Sequence, residues 1–222
     1  MSPPLDLRVY AVLDPTRCRE RPLAAMAAAA ARGGATLVQL RDKRTRTREV
    51  VAAARAVRAA LEPFAVPLLI NDRVDVVLAV GAAGVHLGQD DMAPEDARRL
   101  LGRKAIIGAT VHHPDEADRI ESGIVDYAGI GPVFVTTSKA SEDPPIGPAG
   151  LARLVARLHG RLPRFPCCGI AGITHLNAHE VIAAGTDGVA VIADIFMADD
   201  VEAATRRLRG VVDEALARKE SA

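Results

Sequence analysis

Cysteine is scarce: three in 222 residues are too few for a disulfide framework. Cys167 and Cys168 are sequence neighbours, which rarely bridge without strain. Together with Cys18 they read as packing residues of a protein in a reducing compartment. An excess of charge of one sign is also missing, because 28 Lys+Arg balance 28 Asp+Glu. No whole-chain field is then available to hold a nucleic acid or an anionic membrane, and specificity must lie in a local site. No apolar run approaches the ~18 residues that span a bilayer. Met1-Ser2-Pro3-Pro4 leads into Leu5-Asp6-Leu7-Arg8 without the basic and apolar regions of a secretory signal, so the expected location is the cytoplasm. No low-complexity linker divides the chain. What is present, 49% hydrophobic and 25% charged residues with 18 Gly and 14 Pro, is an ordinary enzyme composition. At this length one α/β domain over residues 1–222 is expected, burying roughly 70–75% of the unfolded surface.

Short apolar runs of β type alternate with Ala/Leu/Arg-rich segments of helical pattern. The strands expected are Arg8–Leu13, Thr36–Arg41, Pro67–Asn71, Gly84–Leu87, Ala105–Thr110, Tyr127–Ile130, Phe165–Ile170 and Gly188–Ile192. The helices expected are Arg21–Arg32, Thr47–Leu61, Arg73–Val80, Pro94–Leu101, Pro114–Ser122, Pro148–His159, Thr174–Ala184 and Asp199–Leu216. Pro94, Pro114 and Pro148 stand at helix starts, where a fixed φ and a missing N–H cost nothing. Gly33-Gly34, Gly102, Gly123, Gly160 and Gly185 stand where helices should stop. Eight such repeats in one chain of this length predict an α/β fold, a single (β/α)8 TIM barrel. A doubly wound open sheet is the alternative. It requires a Gly-rich fingerprint after the first strand, and Asp14-Pro15-Thr16-Arg17 is not one.

Barrel active sites form from the loops that follow the strands, so polar residues at strand C-terminal ends are the candidates. A period of two from Thr36 to Lys43 puts Gln39, Arg41 and Lys43 on one face, with Val38 and Leu40 toward the helices. Arg44, Arg46 and Arg48 form a basic run of the kind that faces water. The next two strands deliver Asn71-Asp72 and Gln89-Asp90-Asp91 to the same rim. Asp72 and Asp91, with neighbouring amides, offer hard oxygen ligands that suit Mg²⁺ held together with substrate phosphates. Either carboxylate alone could equally cap a helix. His86 lacks partners at zinc-ligand spacing and reads as pocket wall. Thr110 can donate to a phosphate oxygen, His112 is a possible proton-transfer group, and His113 reads as surface. Thr136, Thr137, Ser138 and Lys139 place hydroxyls and a cation within four residues, which suits phosphate or merely a good loop. The irregular stretch from Gly131 to Gly147 has the length of a lid or binding loop. Small residues from Gly169 to Gly172 and from Gly188 onward let backbone approach a ligand, at the usual barrel position for a phosphate. Two anion sites follow: a metal-assisted polyanion site across strands two to six, and a backbone cradle for a monophosphate.

With these residues the chain resembles the thiamine-phosphate synthases. The likeness lies in Val38-Gln39-Leu40-Arg41-Asp42-Lys43, Ile70-Asn71-Asp72-Arg73-Val74-Asp75, Gly84-Val85-His86-Leu87-Gly88-Gln89-Asp90-Asp91, Gly129-Ile130-Gly131-Pro132-Val133-Phe134 and Gly185-Thr186-Asp187-Gly188-Val189-Ala190-Val191. That family joins hydroxymethylpyrimidine diphosphate to hydroxyethylthiazole phosphate on a (β/α)8 barrel and releases pyrophosphate. The resemblance implies that Arg41, Lys43, Asn71, Thr110 and Lys139 hold the diphosphate, with Arg41, Lys43 and Lys139 as the catalytic cations. It implies Asp72 and Asp91 as ligands of the cofactor Mg²⁺, and Gln39 against the pyrimidine. Thr136, Ser138 and Gly172, with backbone at Val191 and Ile192, would hold the thiazole phosphate. Partners would be these two small molecules, with neither nucleic acid nor membrane. The chain departs from the family at Ala171, where glycine is usual, at Ala193, where serine is common, and at Thr110, where another hydroxyl replaces serine. The alternatives are a thiazole tautomerase of the same superfamily, with His112 as acid and base, and a relative that binds phosphate ligands without chemistry.

Overall fold

The computed structural model describes residues 5–136 and 143–221. Eight strands, β1 (Val9–Leu13), β2 (Leu37–Leu40), β3 (Leu68–Asn71), β4 (Gly84–Leu87), β5 (Ile106–Val111), β6 (Tyr127–Ile130), β7 (Cys167–Ile170) and β8 (Gly188–Val191), pair in sequence order into a closed barrel. Every pairing is parallel, and β8 closes on β1 with Val9 opposite Val189. The fold is therefore a (β/α)8 barrel, as the alternation predicts. The helices are α1 (Leu23–Arg32), α2 (Thr47–Leu61), α3 (Val74–Val80), α4 (Pro94–Leu101), α5 (Pro114–Arg119), α6 (Gly147–Arg161), α7 (Ala178–Ala183), α8 (Ala193–Phe196) and α9 (Val201–Glu220). Among the described residues, no helix is long and apolar enough to cross a membrane.

The strands are short runs rich in aliphatic residues because both of their faces are covered. Alternate side chains enter two separate cores. The outer core, between barrel and helices, takes Val9, Ala11 and Leu13 of β1, Val38 and Leu40 of β2, and their counterparts around the ring. The inner core holds Tyr10, Val12, Leu37, Leu69, Tyr127, Cys168 and Ala190. Gly108 is required here, because a Cβ on it would lie 2.1 Å from the Tyr127 ring. All three cysteines are free and buried. Burial pushes the Cys18 thiol up to about 11 and the Cys167 thiol to about 12, so both are neutral packing groups.

Differences from the sequence reading lie at element ends. α7 begins at Ala178 rather than Thr174, because the Asn177 side chain accepts the Thr174 N–H at 2.8 Å and holds those residues in a turn. Gly160 does not stop α6, which runs on to Arg161 through an open position where a Cβ would touch nothing. α5 ends at Arg119, before Gly123. α8 was not expected, since four residues are too few to show a helical period.

Candidate active site

A cavity of about 670 Å³ opens at the C-terminal mouth of the barrel. Gln39, Arg41, Lys43, Asn71, Asp72, Asp91, Thr110, Thr136, Gly172 and Ile192 all line it, joined by Tyr10, His86, His112 and Ala193. Residues from all eight strands and the loops that follow them thus converge on one volume. Arg44 and Arg46 before α2 and Arg48 in its first turn stay exposed, as the basic-run reading expects. Val191 is buried in the outer core and is not among the residues that line the cavity, whereas its neighbours Ala190 and Ile192 are. Ser138 and Lys139, with the rest of residues 137–142 in the middle of the stretch expected to form a lid, lie outside the described residues.

The acidic wall is built by two loops. Asp72 follows β3 with φ +64, an uncommon conformation for a residue other than glycine. Its N–H donates to the His86 carbonyl at 2.9 Å, which ties β3 to β4. Neither carboxylate caps a helix: α3 and α4 have no side-chain cap, and their N-cap residues are Arg73 and Ala93. Asp72 instead pairs with Lys43 at 2.8 Å, and Asp91 accepts the Gly88 N–H at 2.7 Å. Burial and the Asp72 carboxylate within hydrogen-bonding reach push the Asp91 carboxyl above its usual range, against the pull of Gly88 N–H and Lys43. Two crowded carboxylates with hard oxygen donors fit Mg²⁺ that completes its shell with water and ligand oxygens. No group of three His, Cys, Asp or Glu side chains forms an all-protein cage among the described residues. Asn71 lines the cavity beside the acids, and its buried Nδ2 has no hydrogen-bond partner. A buried amide donor left unpaired is costly, and this one belongs to a residue of the cavity wall.

The basic wall depends on a residue the sequence reading passed over. Arg41 Nη1 bonds the Asp14 carboxylate at 2.6 Å, and Asp14 is buried directly after β1. Asp14 is held in turn, accepting from Thr16 N at 2.9 Å and Thr16 Oγ1 at 2.7 Å. The strand-end rule that singled out Arg41 applies equally to Asp14. Tyr10, His86 and Tyr127 lie deeper, linking Gln39 to Thr110 through hydrogen bonds. The two tyrosines occupy inward positions of their strands, so a period of two would have placed them there. Gln89 secures the same edge, donating to the Thr110 carbonyl at 2.6 Å.

On the opposite wall Ala171 and Gly172 follow β7 at φ +70 and +69. Gly172 admits no side chain, because a Cβ would sit 2.6 Å from both Phe134 Cβ and the Val135 carbonyl. Ala171 tolerates the same backbone at a cost that glycine would not carry. α8 begins at Ala193, and its Asp194 carboxylate holds the His175 ring at 3.0 Å. The ring of His112 lines the cavity while its Nδ1 meets the Gly131 carbonyl, and His113 Nε2 pairs with Asp143 at 3.2 Å.

The family model described as thiamine monophosphate synthase matches residues 9–195. A thiamine-phosphate synthase of Agrobacterium fabrum is 50% identical over 212 residues, covering 96% of each chain. One of Xanthobacter autotrophicus is 46% identical over 212 residues, covering 96% of this chain and 98% of its own. The solved structure of a thiamine phosphate pyrophosphorylase from Pyrococcus furiosus superposes with a TM-score of 0.81 at 36% identity, covering 95% of this chain and 97% of that one.

Proposed function

The chain belongs to the thiamine monophosphate synthase family and is a transferase, and on that premise we propose that it joins hydroxymethylpyrimidine diphosphate to hydroxyethylthiazole phosphate and releases pyrophosphate. The observation that carries this reading is the juxtaposition, in one cavity, of the crowded Asp72–Asp91 pair, the cations Arg41 and Lys43, and the unpartnered Asn71 amide. An acceptor-only polyanion would satisfy the cations and the amide, and a divalent cation bound with it would satisfy the carboxylates.

Asp72 and Asp91 would hold Mg²⁺, which supplies charge neutralisation to a departing diphosphate. Lys43, already on Asp72, and Arg41, oriented by Asp14, would place positive charge on the leaving oxygens without reorganising as the bond breaks. Asn71 Nδ2 and the Thr110 hydroxyl would donate to the same group, and Lys139 would add a third cation. Gln39 would position the aminopyrimidine. The pyrimidine-methyl carbon would then carry positive charge that its ring delocalises, and the thiazole nitrogen would attack it. Such a route asks little of acids and bases, in keeping with a wall made chiefly of anion ligands. The thiazole phosphate would meet Thr136, Ser138, Gly172 and the backbone at Val191 and Ile192. At Ala193 backbone N–H stands in for the serine hydroxyl common in the family.

The test is pyrophosphate release by the purified protein with both substrates and Mg²⁺, against controls lacking the thiazole phosphate or the metal. Release that requires both, with thiamine phosphate as co-product, supports the reading. Conversion of a thiazole carboxylate phosphate tautomer without pyrophosphate release overturns it in favour of the isomerase. His112→Gln should retain most of the synthase activity, and complete loss in a folded variant would give His112 a part in the chemistry.

A further inference from the structure

Five buried side chains form one continuous line across the barrel interior. Gln39 Nε2 donates to the Tyr10 hydroxyl, and the Tyr10 and Tyr127 hydroxyls lie 2.8 Å apart. Tyr127 Oη is 2.8 Å from His86 Nδ1, and His86 Nε2 is 2.9 Å from Thr110 Oγ1. The five come from β2, β1, β6, β4 and β5, and all are buried. Gln39, Tyr10, His86 and Thr110 reach the cavity wall, whereas Tyr127 lies beneath it. Burial holds both phenols in the protonated form.

Each hydroxyl has one proton to donate, and a neutral imidazole has one donor and one acceptor nitrogen. The donors along the line must therefore all run the same way. With the Gln39 amide nitrogen donating inward, Tyr10 donates to Tyr127, Tyr127 to His86 Nδ1, and His86 Nε2–H to Thr110. The Thr110 proton then points out of the line, and Gln39 turns its Oε1 outward. Reversal gives Thr110 donating to His86, and Gln39 showing its NH₂ to the cavity. The two ends cannot choose independently.

We propose that this line is a polarity relay, in which a phosphate oxygen taken up by Thr110 commits Gln39 to present its carbonyl oxygen to the amino group of a heteroaromatic ring. Tyr127 and His86 are then positioning residues for a contact made at Gln39. The relay rests on the synthase reading, since that reading supplies an acceptor at one end and an aminopyrimidine at the other. It adds that binding at the two ends is cooperative, because whichever ligand arrives first sets the proton direction for the second.

Tyr127→Phe tests this without altering the cavity wall, with Tyr10→Phe as a second break in the line. Titration calorimetry would measure inorganic pyrophosphate in Mg²⁺ and the hydroxymethyl aminopyrimidine alcohol, each alone and in the presence of the other. The wild type should show mutual tightening of about 5–10-fold, a typical coupling between sites. Tyr127→Phe should keep each single affinity within about threefold yet lose the tightening. ¹⁵N spectra, with the His86 signal assigned by its loss in His86→Gln, should place the ring proton on Nε2 when pyrophosphate is bound. Coupling that survives in both variants, a proton on Nδ1, or a doubly protonated ring would overturn the relay. A wild type that makes thiamine phosphate but binds the two probes independently overturns the relay alone. One that fails to bind pyrophosphate at all overturns the synthase reading with it.

Discussion

Two arginines at opposite ends of the barrel have opposite relations to the protein around them. Arg98, on α4 at the N-terminal end of β5 and β6, is buried and uses every nitrogen of its guanidinium. It donates to the carbonyls of Ile124 at 3.1 and 2.9 Å, Gly102 at 3.0 Å and Ala105 at 2.6 Å, and to Asp126 at 2.6 Å. Asp126 also takes the Ile107 N–H at 2.7 Å, so one cation laces three chain segments together. Arg41, at the C-terminal mouth, makes one side-chain bond among the described residues, to Asp14, and lines the same cavity as Asn71, whose buried Nδ2 has no hydrogen-bond partner. A guanidinium whose donors are consumed by carbonyls stabilises; one held by a single carboxylate at a cavity wall keeps donors that a ligand would use on the proposed function.

Making the same substitution at both positions is the sharpest way to break this comparison. Arg98→Lys keeps the charge but loses the planar fork, and should lower stability by about 3 kcal/mol, with activity per folded molecule within about twofold of wild type. Denaturant midpoints and active-site-normalised rates would check it. A stability loss below about 1 kcal/mol would remove the structural half of the contrast. Arg41→Lys should do the reverse, leaving stability within about 1 kcal/mol and lowering kcat/KM by about 10–100-fold. Equal effects of the two changes on both readouts would erase the distinction.

Asp72→Asn tests the mouth from the acidic side. Asparagine suits the positive φ and relieves the carboxylate repulsion, so the metal-free melting temperature should not fall. The extra stability from Mg²⁺ with pyrophosphate should drop by about tenfold in apparent affinity. The pH dependence has a definite sign. The Asp91 carboxyl is raised, by burial first and by Asp72 second, so its contribution to folding is present below the unfolded carboxyl range and lost as pH rises through the folded value. Ligation by metal opposes that loss. Mg²⁺-dependent stabilisation should grow as pH rises through the raised pKa of Asp91, and in Asp72→Asn the rise should move to lower pH. The smallest effect is expected at Ala171→Gly, which removes left-handed strain but frees the unfolded chain, for a net gain of up to about 1 kcal/mol in thermal unfolding.

The wall residues were legible because they sit at strand ends, where a period of two and the barrel rule name them one by one. Gln39, Arg41, Lys43, Asn71, Asp72, Asp91 and Thr110 all reach the cavity for that reason. What orients them was not legible. Asp14 follows β1 but its use depends on Arg41, 27 positions away in sequence, and Arg98 looks like any basic residue on a helix until its carbonyl partners close around it. The left-handed backbone at Asp72 carries no sequence mark, since only glycine announces such a conformation.

By itself the amino-acid sequence determined the eightfold alternation, and with it the barrel and the rim on which polar residues would gather, because period and chain order are local properties. Only the tertiary structure decided which polar groups are spent and which are kept. Curling the sheet into a barrel turns β4, β5 and β6 toward one interior, which sets His86 between Tyr127 and Thr110, and the pairing of β3 with β4 crowds Asp72 against Asp91. Hydrogen-bond partnership and charge crowding fall off over a few ångströms, and those distances come into being only when the sheet closes.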